Sequence, residues 1–392
     1  MAKAYEVAVV GAGGLYGMSV LQELSKRLGR DVIGFEQFDI PNNFGSSHGD
    51  SRIFRLAIGE GEIFTPLALR SLRLLRELEV VTGSSLYFQT GGLIMASPND
   101  RTLHGSSNFL GKTIASADEF GIPYRLMDAK AIAKNYPQFN LNGDETGYYE
   151  FDAGYIDPEE CIVAKKKMAV QHGAQMVTNE EVIKVISPTA QRSDFLIITS
   201  KRPYYAKKIV LTAGPWANKF FPESLLSKIE VHREVLFWFQ VSQPEEYRVG
   251  KFPVFVWQKG QAGDFLYGFP SINGQDGRIK IATERTELVA NPDAINREVS
   301  ETEIGEMYKY SRQFLPDLQS NCIKTEVCMY TNTSDRRFII DWHPEIRNML
   351  LVSACSGHGA KHSFGAGESI AQMVLGHRTN CDLSHFNLKR FL

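Results

Sequence analysis

The N-terminal stretch VVGAGGLYGMSVLQEL, residues 9–24, constrains the fold of this chain more than any other part of it. A short β-branched strand runs into glycines at Gly11, Gly13 and Gly17, and apolar residues then recur at helical spacing. The next segment, DVIGFEQFD, predicts a second strand that ends on Glu36. An acid about twenty residues after such a turn is typical of the βαβ unit that binds a dinucleotide.

Each part of this unit has a physical role. Backbone N–H groups at the helix start meet a pyrophosphate, and Gly13 lets the backbone approach it closely. The Glu36 carboxylate accepts hydrogen bonds from ribose hydroxyls and repels a 2′-phosphate, which disfavours NADP. The spacing is GxGxxxG, with Tyr16 where GxGxxG places its third glycine, so we expect Gly17 to take that role. An ordinary tight turn between strand and helix is the alternative.

The order of predicted elements indicates two interleaved parts, since 392 residues are too many for one ordinary core. We expect an α/β fold in which a Rossmann-like domain alternates with a substrate domain built on an antiparallel sheet. The first comprises residues 1–85, 152–225 and 329–392, and the second residues 86–151 and 226–328. This alternation favours a cofactor buried between the two domains.

Composition and charge narrow the class of partner. A formal net charge of -2 offers no electrostatic reason to expect a nucleic acid or an anionic membrane. We find no secretory signal and no apolar run of membrane-spanning length, so we expect a cytoplasmic protein that acts on small molecules. The five cysteines are odd in number and form no CxxC pair, so neither a disulfide framework nor a metal site is expected.

Two further segments carry candidate binding residues. FGSSHGDSRIFRLAIGEG, residues 44–61, has two arginines three apart, and the guanidinium of Arg55 suits a carboxylate. The alternative is a solvated loop of ion pairs. SACSGHGAKHSFGAGE, residues 353–368, lies between a strand and a helix and adds the charge of Lys361. Its alternative is an ordinary turn with surface histidines.

Four motifs in order, GSSHGDSRIFR, YGFPS, CMYTNTSDRRFIIDWHP and SGHGAKHSFGAGE, extend over nearly the whole chain. In these the sequence resembles the family of monomeric sarcosine oxidase and N-methyltryptophan oxidase, FAD-dependent amine oxidases related to D-amino acid oxidase. The resemblance implies a monomer whose cofactor is FAD and whose partners are an amino acid substrate and O₂.

The resemblance also assigns the cofactor site. Cys328 matches the cysteine that the family joins to the 8α-methyl group of the flavin, and a buried free cysteine is the alternative. The implied cofactor-binding residues are Gly11, Gly13, Gly14, Gly17, Glu36, Ser47, Arg52, Cys328, Gly357, His358, Gly359 and Lys361.

For the substrate, Arg55 and Lys361 match the pair that holds the substrate carboxylate over the flavin. Arg52 and Lys280 match basic residues on the two flavin faces, where the lysine assists oxygen reduction by stabilising developing negative charge. An exposed strand lysine is the alternative for Lys280. His48 and Tyr267 match active-site residues of the family.

Three departures from the family pattern bear on substrate choice. Leu266 stands in place of a tyrosine, Glu284 in place of a pocket histidine, and Ala360 in place of a phenylalanine. We expect these positions to contact the substrate, with Glu284 facing a cationic or polyhydroxyl group and Ala360 leaving room for a larger side chain. For Glu284 the alternative is an outward-facing strand residue in an ion pair with Arg285 or another neighbour.

The resulting hypothesis is a flavoprotein oxidase that converts the C–N bond of a secondary, N-methyl or N-alkyl, amino acid to an imine and reduces O₂ to hydrogen peroxide. A fructosyl amino acid oxidase or a cyclic imino acid oxidase of the pipecolate type is the alternative within the same fold. From other classes come an NAD-dependent dehydrogenase, which the first sixty residues alone permit, and a catalytically silent flavin-binding module.

Overall fold

We describe a computed structural model of the chain over residues 3–98, 102–103, 106–258, 265–272, 277–284 and 289–391. Its α-helices are α1 Leu15–Leu28, α2 Thr65–Thr82, α3 Phe109–Phe120, α4 Ala129–Asn135, α5 Pro158–Gln171, α6 Glu223–Leu226, α7 Glu301–Ser311 and α8 Ser363–Val374. No helix in these ranges combines the length and apolar character required to cross a bilayer.

The strands, in chain order, are β1 Ala4–Val10, β2 Val32–Phe35, β3 Arg52–Phe54, β4 Tyr87–Gln89, β5 Gly92–Ala96, β6 Thr102–Leu103, β7 Ser106–Ser107, β8 Tyr124–Asp128, β9 Thr146–Glu150, β10 Gly154–Ile156, β11 Gln175–Val177, β12 Val182–Ile186, β13 Phe195–Thr199, β14 Pro203–Leu211, β15 Ile229–Val241, β16 Val254–Gln258, β17 Phe265–Gly268, β18 Arg278–Ala282, β19 Leu318–Thr333, β20 Ile339–Trp342 and β21 Met349–Ser353.

The first large sheet is the predicted nucleotide-binding sheet. Strands β11, β2, β1, β14 and β21 lie side by side and parallel. The start of β14 also pairs antiparallel with β13, which continues to β12, while β20 pairs antiparallel with β21. The carboxyl ends of β1, β2, β14 and β21 therefore meet at one edge, where ligands bind in open α/β sheets.

The apolar run of β1 explains why this sheet is buried on both faces. Successive strand residues point to opposite sides, so Val7 and Val9 join the core formed with α1, α5 and α8. Ala8 and Val10 join a second core that includes Ile197 of β13. A strand covered on both faces reads as a continuous apolar run, which is how it was recognised in the sequence.

The second large sheet has the order β19, β15, β18, β17, β16, β5, β9 and β8. Its neighbours are antiparallel except for β16 and β5, which are parallel. A small sheet of β3, β10 and β4 and a hairpin of β6 and β7 complete the described strands. The mixed α/β fold is confirmed, while the domain boundaries given above stay a prediction.

Candidate active site

A cavity with about 1890 Å³ of empty space, its open mouth included, begins at the Gly11–Gly17 turn and continues to Lys361. Most of the residues singled out in the sequence line it: Gly11, Gly13, Gly14, Gly17, Glu36, Ser47, Arg52, Arg55, Tyr267, Lys280, Gly357, His358, Gly359, Ala360 and Lys361. Four do not, namely His48, Leu266, Glu284 and Cys328.

The glycine turn leaves no room for side chains. Gly11 has φ +83°, and a Cβ there would lie 2.6 Å from the Thr212 carbonyl oxygen at the end of β14. A Cβ on Gly17 would overlap the Gly11 carbonyl oxygen, so Gly17 does take the close-packing role expected of the third glycine. Helix α1 begins just inside the cavity, where Ser47 Oγ accepts the Leu15 N–H at 3.2 Å.

Tyr16, the residue at the usual third-glycine position, has its own task. Its hydroxyl donates to the Gly359 carbonyl oxygen at 3.0 Å and so ties the first turn to the 357–361 segment. Burial raises the pKa of Tyr16 well above its usual value, which keeps the hydroxyl a donor. This link joins positions more than three hundred residues apart, which no local pattern indicates.

Glu36 follows β2 at the cavity wall. One carboxylate oxygen accepts the Gly13 N–H at 2.9 Å and the other accepts the Phe38 N–H at 3.1 Å. Each oxygen keeps a second lone pair for a ribose hydroxyl. The residues present therefore fit a dinucleotide, since the cavity offers a side-chain-free backbone turn, a helix start and a buried carboxylate in the expected order.

At the far end of the cavity the two predicted carboxylate-binding cations share an internal carboxylate, Glu60. Arg55 Nη2 lies 2.6 Å from Glu60 Oε2, and Arg55 Nη1 donates to the Ala57 carbonyl at 2.7 Å. Lys361 Nζ lies 3.6 Å from Glu60 Oε1 and donates to the His358 carbonyl at 2.7 Å. Glu60 lines the cavity and was missed in the sequence.

Burial dominates the charge of this cluster. It lowers the pKa of Lys361 to about 7, helped by the positive charge of Arg55 and opposed by Glu60. Lys361 can thus gain or lose its charge near neutral pH. His358, beside it, stacks on Phe338 with ring centroids 5.1 Å apart.

Lys280 is a buried cavity lysine, so the exposed-lysine alternative is wrong. Its Nζ donates to the carbonyls of Gly49 at 2.8 Å and Ser51 at 2.6 Å, and it is 1% exposed. Burial, and after it the charge of Arg52, lower the pKa of Lys280 well below its usual value. A lysine in such surroundings can exchange a proton rather than act only as a fixed charge.

Cys328 lies just behind the cavity wall and is fully buried. Its Sγ atom is 3.2 Å from Arg52 Nη2, and both Arg52 and Ser46 line the cavity. Burial disfavours a thiolate, but Arg52 and His48 outweigh it and lower the pKa of Cys328 to about 7. His48 is likewise buried, with its Nδ1 atom 2.8 Å from Glu326 Oε2. It acts beside Cys328 and not at the cavity surface.

A second thiol, Cys355, lines the cavity directly and was not singled out in the sequence. All five cysteines are free thiols. Burial raises the pKa of Cys355, so it is the weaker nucleophile of the two. Tyr330 was also missed: its hydroxyl lies 3.3 Å from that of Tyr267, and both tyrosines line the cavity. Its position two residues after Cys328 on one strand was an available signal.

The expectation that all three departures contact the substrate is wrong for Leu266. Tyr267 and Leu266 are neighbours on β17 and point to opposite faces of the sheet. Tyr267 lines the cavity, whereas Leu266 is fully buried in the core with Leu93 and Trp257. Ala360 does line the cavity.

Glu284 is also not brought to the cavity lining. Its Oε1 atom accepts a hydrogen bond from Arg336 Nη1 at 2.6 Å, and its side chain is 6% exposed. Glu284 is therefore in an ion pair, as the alternative expected, but its side chain is buried rather than outward-facing and its partner is Arg336. Arg285, the partner named in that alternative, lies outside the described residues. The chain segments that bring Glu284 and Arg336 together are distant in sequence, so their pairing depends on the tertiary fold.

Comparisons with known proteins agree with this geometry. The family model FAD dependent oxidoreductase matches residues 6–373. Monomeric sarcosine oxidase of Streptomyces avermitilis is 33% identical over 100% of this chain and 98% of its own length. Monomeric sarcosine oxidase of Bacillus sp. is 32% identical over 100% and 97%, and N-methyl-L-tryptophan oxidase of Salmonella dublin is 28% identical over 99% of both chains.

Solved structures show the same fold at lower identity. NikD, described as an unusual amino acid oxidase essential for nikkomycin biosynthesis, matches with a TM-score of 0.81 at 21% identity, over 98% of this chain and 97% of its own. L-proline dehydrogenase from P. horikoshii matches with a TM-score of 0.82 at 20% identity, over 100% and 98%.

Proposed function

This chain belongs to the family of FAD dependent oxidoreductases, and from that premise we propose that it oxidises the C–N bond of an N-methyl or N-alkyl amino acid. Sarcosine and N-methyltryptophan oxidases are its relatives along the entire length, which supports a secondary amino acid as substrate. The product is an imine, and the two electrons removed from the substrate reduce O₂ to hydrogen peroxide.

One observation carries the proposal. A single cavity is lined both by a dinucleotide turn and by two buried cations that a carboxylate can approach. An NAD-dependent dehydrogenase accounts for the turn alone. An amino acid oxidase accounts for both features, because its cofactor and the acid group of its substrate must be held side by side.

FAD, when bound, supplies the two-electron chemistry, since no side chain of the protein can accept a hydride. The Gly11–Gly17 turn and Glu36 would hold its dinucleotide part, and Arg52 and Lys280 would lie at its redox-active end. Lys280 is buried and Arg52 is partly buried, so a positive charge on either side chain acts at low effective dielectric on any negative charge that develops there. Lys280 can also give up or take a proton, for the reason given above.

Arg55 and Lys361 orient the substrate by its carboxylate, with Glu60 as their internal counter-ion. The same buried, cationic surroundings disfavour an ammonium group, so the substrate amine binds there as the neutral form that can be oxidised. Ala360 leaves space at this end of the cavity for a side chain or N-substituent larger than that of sarcosine.

For the cofactor we further propose that the Cys328 sulfur would be joined to the 8α-methyl carbon of FAD, with loss of the thiol proton and one methyl hydrogen as a proton and with O₂ as the final acceptor of the two electrons released. The low thiol pKa, the contact with Arg52 and the place of Cys328 directly behind the wall at Ser46 support it. Cys355 is the competing thiol, and its raised pKa argues against it.

A fructosyl amino acid oxidase, or an oxidase of cyclic imino acids, is the second candidate. The space beside Ala360 favours it, whereas Glu284 no longer does, because its carboxylate is paired with Arg336. The two candidate activities would use the same remaining residues of the site.

The test is a peroxide assay with sarcosine, N-methyltryptophan, pipecolate and a fructosyl amino acid, together with anaerobic bleaching of the bound flavin. We expect turnover and bleaching with an N-methyl amino acid. If no secondary amine bleaches the flavin, the proposal fails and a silent binding module takes its place.

Covalent attachment of the flavin, the oligomeric state and the cellular location are each measured separately. Acid-precipitated protein that stays yellow, with the flavin mass on the peptide containing Cys328, supports the covalent bond, and flavin released into the supernatant contradicts it. A monomer by size-exclusion chromatography and recovery in the cytoplasmic fraction are expected.

A further inference from the structure

One face of β19 carries a row of side chains that includes Cys328, the thiol proposed to bind the flavin. Lys324, Glu326, Cys328 and Tyr330 alternate along the strand, so they point to the same side. The row faces the loop that carries His48, Asp50 and Arg52. The sequence KTEVCMY thus places a carboxylate one strand repeat before the cysteine.

The contacts along this row run from solvent to the buried sulfur. Lys324 Nζ bonds Asp50 Oδ1 at 2.9 Å and Glu326 Oε1 at 2.8 Å. The second oxygen of Glu326 lies 2.8 Å from His48 Nδ1. Side-chain exposure falls from 31% at Lys324 to 20% at Glu326 and 2% at His48.

The remaining ring nitrogen of His48, Nε2, is buried and makes no hydrogen bond to the part of the chain that the structure describes. With Nδ1 bound to Glu326, Nε2 is the ring nitrogen that remains for proton exchange with Cys328, whose interaction with His48 raises the pKa of the histidine and lowers that of the thiol. A thiol, a histidine base and a carboxylate that orients the base are thus all present.

We propose that Glu326 is a positioning residue for cofactor attachment: its carboxylate holds His48 as the imidazolium, so that Cys328 is a thiolate when FAD binds. The proton that leaves the Cys328 sulfur is the one carried on His48 Nε2, so no other acceptor is required. This inference rests on the proposed attachment at Cys328, and it concerns only the charge state of the thiol before the bond forms.

The electrostatics of the row support this assignment. A buried imidazolium is costly unless it is paired, and a carboxylate at hydrogen-bond distance offsets that cost. Burial opposes the charge on His48, but Cys328 and Glu326 together raise its pKa to about 9. Burial likewise opposes the charge on Glu326, but His48 and Lys324 lower its pKa to about 2. His48 and Glu326 are therefore charged at neutral pH, and the Cys328 thiol, with a pKa of about 7, is partly ionised there.

Other ionisable groups also act on the Cys328 sulfur, and they affect its pKa whether or not residue 326 carries a charge. Arg52 is the strongest, at 3.2 Å. Tyr330 follows Cys328 on the same strand, and four others come from neighbouring strands and loops: Lys280, Arg297, Tyr267 and Cys355. Glu234, opposite Cys328 on β15, completes the set. A substitution at Glu326 leaves all of these in place.

The test uses the full chain purified without flavin from riboflavin-limited cells. The ultraviolet absorbance of the thiolate is titrated with pH, and the matching Cys328→Ser protein is subtracted so that only this thiol is seen. We expect Glu326→Gln to raise the midpoint by about one pH unit, which is a ten-fold loss of thiolate at a given pH below it.

The matched control is Glu230→Gln. Glu230 also lies beside a histidine on the same sheet, with its Oε2 atom 3.3 Å from His232 Nε2, but no cysteine is part of that pair. Its thiolate midpoint should equal that of the unchanged protein. Glu326→Asp, which keeps the charge on a shorter side chain, should recover part of the shift and guards against a general folding effect.

Added FAD then separates this inference from the attachment itself. A raised midpoint with slower appearance of acid-stable flavin supports both. A raised midpoint in a protein that never acquires acid-stable flavin supports the role of Glu326 and overturns attachment at Cys328. Equal midpoints in the Glu326→Gln and unchanged proteins overturn the inference, whether or not flavin becomes attached.

Discussion

Glu60 Oε2 lies 2.6 Å from Arg55 Nη2 inside the cavity, with both side chains less than a tenth exposed. The protein therefore already provides a carboxylate to the cations that are proposed to bind the carboxylate of the substrate. The second oxygen of Glu60 lies 3.6 Å from Lys361. Any substrate acid must share or displace this internal partner.

Replacing Glu60 by glutamine tests that competition. Glu60→Gln removes the negative charge and keeps the shape, so an amine-free carboxylic acid should bind about five-fold more tightly, which corresponds to about 1 kcal/mol. The measurement is the inhibition constant against the amino acid substrate. Weaker binding would mean that Glu60 holds Arg55 in place rather than competing for it.

Carboxylate binding should also depend on pH through Lys361. With a pKa near 7, Lys361 is charged below that pH and loses its charge above it, so affinity should fall as pH rises. For an amine-free carboxylic acid we expect about a ten-fold loss between about pH 6 and about pH 9. Lys361→Met should bind weakly and without this dependence. An unchanged pH profile in that variant would assign the titration to another group.

Ala360 should set the size of the substrate. Ala360→Phe fills the cavity beside Lys361, so kcat/KM for a bulky N-methyl amino acid should fall about ten-fold or more relative to that for sarcosine. Ala360→Leu should give an intermediate ratio. If both substrates lose activity equally, the larger side chain has disturbed the flavin site instead of narrowing the pocket.

Glu284 is expected to matter for stability and not for substrate choice. Glu284→Gln leaves Arg336 without its buried partner, which should cost about 1–3 kcal/mol of unfolding free energy by denaturant titration. The control is Glu245→Gln, because the Glu245 pair with Arg248 is exposed and should contribute almost nothing. If Glu284→Gln changes the preference among amino acid substrates without a loss of stability, Glu284 contacts the substrate after all.

Gly17 should tolerate no side chain. In Gly17→Ala the new Cβ overlaps the Gly11 carbonyl oxygen, so we expect a loss of about 3 kcal/mol together with weaker flavin binding. Gly305→Ala is the control, because Gly305 lies in α7 with open space around its Cα and should become slightly more stable. Thermal unfolding with and without added FAD measures both variants.

The order of elements near the N-terminus was predictable because it depends on local spacing. The continuous apolar run of β1, the glycines of the turn and Glu36 after β2 are each recognisable within thirty residues, and the structure has them as expected. The cations Arg55 and Lys361 were also recognisable, since each belongs to a motif of its own, whereas Lys280 was indicated by the family resemblance alone.

The partners of these residues were not predictable in the same way. Glu60 stands only five residues after Arg55, yet nothing local shows that its carboxylate turns toward Lys361, three hundred residues away. Leu266 and Glu284 occupy positions that the family pattern suggests are in the pocket. Strand alternation turns the first into the core, and the loop at Arg336 pairs with the second.

The sequence alone determined that the chain builds a dinucleotide turn, because backbone preference and hydrophobic spacing are local properties, and its resemblance to a known family indicated the charged residues of an amino acid oxidase. The tertiary structure alone decided which of those charges are neutralised, which thiol is activated and which side chains reach the cavity. Those outcomes depend on burial and on distances of a few ångström between remote segments, and both exist only once the two sheets have packed together.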